Sequence, residues 1–193
     1  AFLDEAEVYY FEQHSAPAAT ERLARAFEKN EELAEAHYLY AKILYEHYQN
    51  YQKALHHIGL ALTYREEETP EETYRLLRGH CARMVSDYQL AETDYAFILV
   101  KNPAQIEAID GWLDMCLYQQ RDYPCAQEQL QRLEALGGLD PAQALDQAVL
   151  WQQTHQDAAA KKLLVELLKE PSLKGAAHYY MGVYFLRVEH DTL

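Results

Sequence analysis

The chain has 193 residues, 49% of them apolar, with seven glycines and six prolines, so it can bury a core and has no flexible linker to divide it. Its 31 acidic and 17 basic residues leave a net charge of −14, a surface that repels phosphate backbones and anionic lipid and argues against nucleic-acid binding. No apolar run reaches the length of a membrane span.

Phe2, Leu3, Ala6, Tyr9 and Tyr10 fall at helical spacing and predict a first helix over 2–14. His14-Ser15-Ala16-Pro17 breaks it, with Ser15 as N-cap and Pro17 just inside the next helix. Ala19, Leu23, Ala26 and Phe27 form that second helix, closed by Asn30. Tyr38, Ala41, Tyr45 and Tyr48 repeat the first pattern over 35–48, Asn50 turns the chain, and 51–64 is again a second helix. The acidic stretch from Arg65 to Thr69 ends at Pro70, and Glu71-Glu72 open the next helix, where negative charge suits the N-terminus.

The third hairpin, about 72–102, carries Tyr74, Leu77, Cys81 and Val85, a turn at Ser86-Asp87, then Leu90, Tyr95 and Leu99. Asn102-Pro103 ends it, because the residue before proline disfavours the helical region. The fourth has Ile106, Ile109, Trp112, Leu113, Cys116 and Leu117, a turn at Arg121-Asp122, then Ala126, Leu130 and Leu133. Gly137-Gly138 followed by Asp140-Pro141 stops one helix and starts the next. The fifth has Leu145, Ala148, Val149 and Trp151, a turn near His155, then Ala160, Leu164 and Leu167. Beyond Pro171 and Gly175 a last helix, about 175–188, bears Tyr180, Met181, Tyr184 and Phe185. No strand is predicted.

One stretch recurs. Tyr51-Gln52-Lys53-Ala54 returns as Tyr88-Gln89-Leu90-Ala91, as Tyr123-Pro124-Cys125-Ala126 and, more loosely, as Asp157-Ala158-Ala159-Ala160. With Ala19 upstream, the alanines stand 35, 37, 35 and 34 residues apart. A fixed period of this length means stacked helical hairpins. The alanines are expected to be buried at helix crossings, since two backbones approach closely only over small residues.

This pattern resembles the tetratricopeptide repeat, whose first helix carries an aromatic, Leu-Gly and Tyr, and whose second carries Ala and an aromatic before a closing Pro. Gly79 and Gly182 match the small first-helix residue, and Ala148 does so more loosely. Tyr10, Tyr45, Leu117, Trp151 and Phe185 match its large residue, the five alanines match the second-helix alanine, and Pro103 and nearly Pro171 match the closing proline. Glu7, Lys42 and Asp114 depart from the pattern where glycine is expected. The resemblance covers essentially the whole chain. It implies an all-α right-handed α–α superhelix, a solenoid of such hairpins. The chain is expected to be one domain over 1–193, with repeats at about 1–33, 35–68, 72–105, 107–139 and 141–173 and a final helix over 175–188.

No catalytic constellation emerges from the residues. His56 and His57 are adjacent and point about 100° apart on a helix, and His80-Cys81 has the same difficulty. No His-Glu-x-x-His pair occurs, so neither a metal nor a cofactor is expected. Cys81, Cys116 and Cys125, an odd and small number, do not read as a disulfide framework. Each falls inside a predicted helix as a small buried hydrophobe, which favours a soluble protein of a reducing, cytoplasmic compartment. Cys81 and Cys116 share a place in successive first helices, but two thiols alone make no zinc site. Glu66-Glu67-Glu68 and Glu71-Glu72 read as a solvated charge run and not as paired catalytic carboxylates. Most of the 16 tyrosines are expected between helices, and the rest are available to a binding face.

The resemblance implies a non-catalytic interaction scaffold or adaptor that holds a protein or peptide partner in a concave groove. The alternatives are a substrate-docking region of a larger enzyme and a structural protein that self-assembles through its two open ends. In the family, first-helix positions line the groove. By register they are Val8 and Phe11 in the first repeat, Leu39, Ile43 and His47 in the second, and Leu76, His80, Arg83 and Met84 in the third. Met115, Tyr118 and Gln119 follow in the fourth, then Leu145, Val149 and Gln152 in the fifth. Family members that grip an acidic C-terminal peptide place lysine, asparagine and arginine there; only Arg83 does so in the central repeats, so such a clamp is not expected. An apolar, methionine-containing groove in an acidic surround suits an amphipathic helix or an extended apolar segment with basic flanks. The chain starts at Ala1 without Met, as an excised piece would, leaving room for a removed signal or anchor. The last helix is expected to reach Glu189-His190, with Asp191-Thr192-Leu193 where a partner helix would start. That end is either a solvating cap or a cut in a longer chain, and the second would leave Met181 and Phe185 as exposed apolar surface.

Overall fold

Each of the five hairpins has a left-handed residue that reverses the chain and an alanine where its two helices cross, and three of them add a side-chain cap on the second helix. The computed structural model describes residues 1–188, so the expected helix end at Glu189-His190 and the segment Asp191-Thr192-Leu193 lie outside the described residues. The fold is all-α. Among the described residues there is no strand, and no helix is long and apolar enough to cross a membrane. The chain divides into two units, Ala1–Ala108 and Ile109–Leu193.

In the first unit, α1 (Phe2–Glu7) runs into a π-helical turn, Val8–Glu12, and the chain returns as α2 (Ala16–Lys29). The second hairpin is α3 (Ala34–Glu46) and α4 (Tyr51–Tyr64), and the third is α5 (Glu71–Met84) and α6 (Tyr88–Lys101). Helix α7 (Ile106–Asp114) begins at the end of the first unit and passes in the second into another π-helical turn, Met115–Gln120, before α8 (Tyr123–Ala135). There follow α9 (Pro141–Gln153), α10 (Asp157–Leu167) and α11 (Lys174–Val188). The sequence predicts an unbroken helix over 2–14 and another from Ile106 towards the turn at Arg121-Asp122, whereas both widen at their ends. A π turn lets the last amides reach carbonyls further back before the chain reverses. Gln13 N–H donates to Val8 O at 3.1 Å, Ser15 N–H to Tyr9 O at 2.8 Å, and Asp122 N–H to Cys116 O at 2.8 Å.

The reversals fall on His14, Gln49, Ser86, Arg121 and His155, all with positive φ between 51° and 65°. Their spacings repeat those of the alanines, and none is glycine. The next residue is the N-cap of the second helix. Asn50, Asp87 and Asp122 each accept a hydrogen bond from the amide three residues on, at 3.2, 3.3 and 3.1 Å, satisfying a donor that the helix cannot. Ser15 stands at the expected cap position without a side-chain hydrogen bond. Between hairpins, Gly137 and Gly138 adopt φ of 149° and 97°, which suits residues without a Cβ, and Asp140 with Gln143 forms a capping box for α9.

Ala19, Ala54, Ala91, Ala126 and Ala160 are buried, as expected. So is the residue four on in each second helix: Leu23, Ile58, Tyr95, Leu130 and Leu164. So is the residue seven on: Ala26, Ala61, Ile98, Leu133 and Leu167. This i, i+4, i+7 stripe is the face each second helix lays on its own first helix. In the third hairpin the approach is closest at Gly79, where an added Cβ would stand 2.9 Å from Cε1 of Tyr95.

Two sequence expectations are corrected. Cys116 and Cys125 are joined in a disulfide, and only Cys81 is the free, buried thiol expected of all three. The left-handed turn at Arg121 brings the end of the first helix back against the first turn of the second, so cysteines nine residues apart meet. Glu71 and Glu72 are not simply solvated. Arg75 and Lys101 hold their carboxyls below the usual range through hydrogen bonds.

Candidate functional site

In the first unit, α3 and α5 stand side by side, and a cleft of about 580 Å³ opens between them, the end of α6 and the turn that follows. Tyr38, Lys42, Tyr45 and Glu46 line it from α3, and Glu72, Thr73, Leu76 and His80 from α5. Lys101, Asn102 and Gln105 close one side. A hollow of about 410 Å³ shares Lys42 and Glu46 and adds Tyr10, Phe11, His14 and His47. On α3, Tyr38, Lys42 and Glu46 make a continuous stripe, because positions four apart on a helix stack on one face.

The lining mixes aromatic, aliphatic and polar side chains, and each of its two lysines faces a carboxylate. The Lys42 ammonium lies 3.8 Å from Glu46 and 5.3 Å from the centre of the Phe11 ring. Tyr10 donates its hydroxyl to the same Glu46 carboxylate. Lys101 sits 2.8 Å from Glu72. The Tyr45 ring stacks 6.3 Å from His80, whose Nδ1 is 2.9 Å from the Tyr95 hydroxyl. Burial, and then the Arg83 charge, push the His80 pKa down to about 4, so its ring is neutral at pH 7. Burial also raises Tyr38 and Tyr45, which keeps both hydroxyls protonated.

Beside the cleft, α5 is locked to α6 by a buried carboxylate. Asp94, with no exposed surface, accepts from Arg75 at 2.8 Å and from both Nε and Nη2 of Arg78 at 2.7 Å. Arg75 also donates to Glu71 at 2.6 Å and lies 4.0 Å over the Phe97 ring. This network fixes the helix that presents Leu76 and His80. A further pair, His37 and His57, meets Nδ1 to Nδ1 at 2.9 Å among the rings of Phe27, Tyr40 and Tyr64. Among the described residues no group of three His, Cys, Asp or Glu is placed to hold a metal ion.

The structure brings four of the expected groove residues together here: Phe11, His47, Leu76 and His80. Six others are packed inside the protein and present nothing to a partner: Leu39, Ile43, Met115, Leu145, Val149 and Gln152. Leu39 and Ile43 belong to the core of the first hairpin with Ala6, Ala19 and Leu23. Leu145 packs with Leu164 and Met181. Gln152 donates to the Tyr180 carbonyl at 2.8 Å. Val8, Met84 and Tyr118 are exposed, and Arg83 and Gln119 half-buried, outside both hollows. Arg83, the basic residue expected in the groove, lies outside the cleft, whose two cations are Lys42 and Lys101. The one sequence sign of this was Lys42 itself, a charged residue where the repeat expects glycine.

No family model matches the chain, and no curated protein matches it. Solved structures do. A tetratricopeptide repeat protein from Parabacteroides merdae superposes with a TM-score of 0.79 at 16% identity, over 96% of this chain and 71% of that one. PilW, a type IV pilus biogenesis factor, gives 0.75 at 18% identity over 88% and 76%. YrrB, a tetratricopeptide protein with an unusual peptide-binding site, gives 0.73 at 13% identity over 94% and 90%.

Proposed function

We propose that this chain, whose fold is that of the tetratricopeptide repeat, is a non-catalytic scaffold that holds a peptide segment of a partner protein in the α3–α5 cleft. The observation that carries this reading is the cleft: two tyrosine rings, Leu76 and a neutral His80, with Lys42, Glu46, Lys101 and Glu72 around them. Aromatic walls supply contact area at low entropic cost, and opposed charges at the rim set register more than affinity. The peptide-binding site of the similar YrrB supports the same kind of use. The ligand is an apolar or amphipathic segment, with basic flanks favoured by the net charge of −14. Both units serve one repeat domain in this reading. The Cys116–Cys125 disulfide supports an oxidising compartment in place of the cytoplasm.

The test is site-specific photocrosslinking in the native host. A crosslinker at Thr73, in the cleft, should capture a partner peptide, and one at exposed Glu92 on α6 should not. Leu76→Glu should remove the Thr73 product. Equal capture from both positions, or capture untouched by Leu76→Glu, rejects the cleft as the site.

A further inference from the structure

His37 of α3 and His57 of α4 bring their Nδ1 atoms to 2.9 Å, which leaves space for one hydrogen between them. The other nitrogen of His37, Nε2, lies 2.8 Å from the carbonyl of Glu31 in the turn between α2 and α3. A carbonyl only accepts, so His37 Nε2 carries a hydrogen, and its Nδ1 is bare while the ring is neutral. The hydrogen between the rings then belongs to His57, whose Nε2 is the bare atom. One added proton leaves the pair joined: whichever ring takes the charge, one N–H still faces one bare nitrogen. A second proton sets two N–H groups and two positive rings against each other.

The surroundings oppose that second charge. His37 is buried and His57 half-buried, and the Phe27 ring of α2 stacks 4.6 Å from the first and 6.1 Å from the second. Tyr64 of α4 stacks 5.9 Å from His37, and Tyr40 of α3 stands edge-on 4.7 Å from His57. Lys53 of α4 donates to the Tyr40 hydroxyl at 2.9 Å, and the His56 ring is 5.4 Å from that of His57. Burial first, and then the charges of His37, His56 and Lys53, all positive, push the His57 pKa down to about 4.

We propose that the His37–His57 pair is an acid-sensitive latch, which ties α3 and the α2–α3 turn to α4 while it carries no more than one added proton and opens when it takes a second. His57, the half-buried ring, is the one that turns out to water. Because α3 also carries Tyr38, Lys42 and Glu46, the latch acts on a wall of the cleft, yet it stands whether or not the cleft takes a peptide. An open His57 takes its proton near pH 6.5 and a closed one only near pH 4. The latch is therefore at full strength above pH 6.5 and weakens as pH falls from there towards 4. At pH 5 the loss in its closing equilibrium is ~30-fold.

Native-state hydrogen exchange of the full chain at pH 7.5 and pH 5, corrected for intrinsic rates, reads this opening without any ligand. Both values lie above the range in which Glu71 and Glu72 take up protons. Protection of the α3 and α4 amides should fall by at least about tenfold between them. His57→Asn puts an amide where Nδ1 stands, offers His37 either a donor or an acceptor, and does not titrate. Its protection should therefore change less than about threefold between the same pH values. Nitrogen NMR shifts of the two rings give a second reading on the unmodified chain, which decides the matter if the variant does not fold. They should show one proton taken up, then a second at clearly lower pH, with a single N–H between the Nδ1 atoms until then. Two rings that take up protons over one and the same pH range overturn the latch. So does protection that is equal at pH 7.5 and pH 5, or that falls as far in His57→Asn as in the unmodified chain.

Discussion

The smallest repeated feature is a single backbone angle. Five residues with ordinary side chains hold the left-handed conformation at each hairpin reversal, at a cost of about 1–2 kcal/mol apiece. Ser86→Gly should relieve most of that cost, less the entropy glycine loses on folding, for a net gain of up to ~1 kcal/mol. A rise in the urea midpoint at constant slope would show it, and a fall would mean the Ser86 side chain contributes more than its backbone costs. The alanines were legible in the sequence and these residues were not, for a physical reason. A crossing admits only a small side chain, so alanine announces it. The reversal is imposed by the helices on either side, and His14, Gln49, Ser86, Arg121 and His155 have no common chemistry. The disulfide was hidden for the same reason, since counting cysteines does not show that two of them flank such a turn.

Among the elements, the first helices show where register reasoning holds and where it fails. In α5 the expected positions Leu76 and His80 do face the cleft. In α3 the expected Leu39 and Ile43 are core, and Tyr38, Lys42 and Tyr45 line the cleft instead. One residue rotates a helix by about 100°, and a first helix packed on several sides leaves only a narrow free stripe. Periodicity finds the apolar face but does not say which neighbour covers it. The α5–α6 pair also holds a buried ion that no pattern in the sequence announced. Asp94→Ala should cost about 2 kcal/mol, below the usual 3–5 kcal/mol for breaking a buried pair, because Arg75 and Arg78 are each 21% exposed and can turn to water. Chemical denaturation would measure it, and hydrogen exchange should place the loss in α5 and α6. A loss below ~0.5 kcal/mol would mean the network is as weak as an ordinary surface pair.

Over the whole molecule, pH should act on the two units differently. In the second unit, burial raises the Asp146 carboxyl to about 6, the Tyr118 hydroxyl that donates to it opposes the shift, and Asp114, Asp110 and Asp140 reinforce it. The folded state therefore holds a proton that the unfolded chain releases near pH 4. Its contribution to stability is full below that value and lost as pH rises through about 6. Asp146→Asn keeps an acceptor for Tyr118 and should stabilise the protein at pH 7.5 by about 1–2 kcal/mol, with no gain at pH 4. Thermal melts at the two pH values decide it, and an equal effect at both would remove ionisation as the cause. In the first unit the sign is opposite. Glu71 and Glu72 lie below their ordinary values, so their ion pairs stabilise above the normal carboxylate range and fade as pH falls.

The bond between Cys116 and Cys125 closes a small covalent ring around an exposed turn that contains Arg121. A break in the backbone anywhere between the two cysteines would leave both pieces tied through sulfur. At this one loop, severing the chain and separating its halves are different events, and the second needs a reductant as well as a protease.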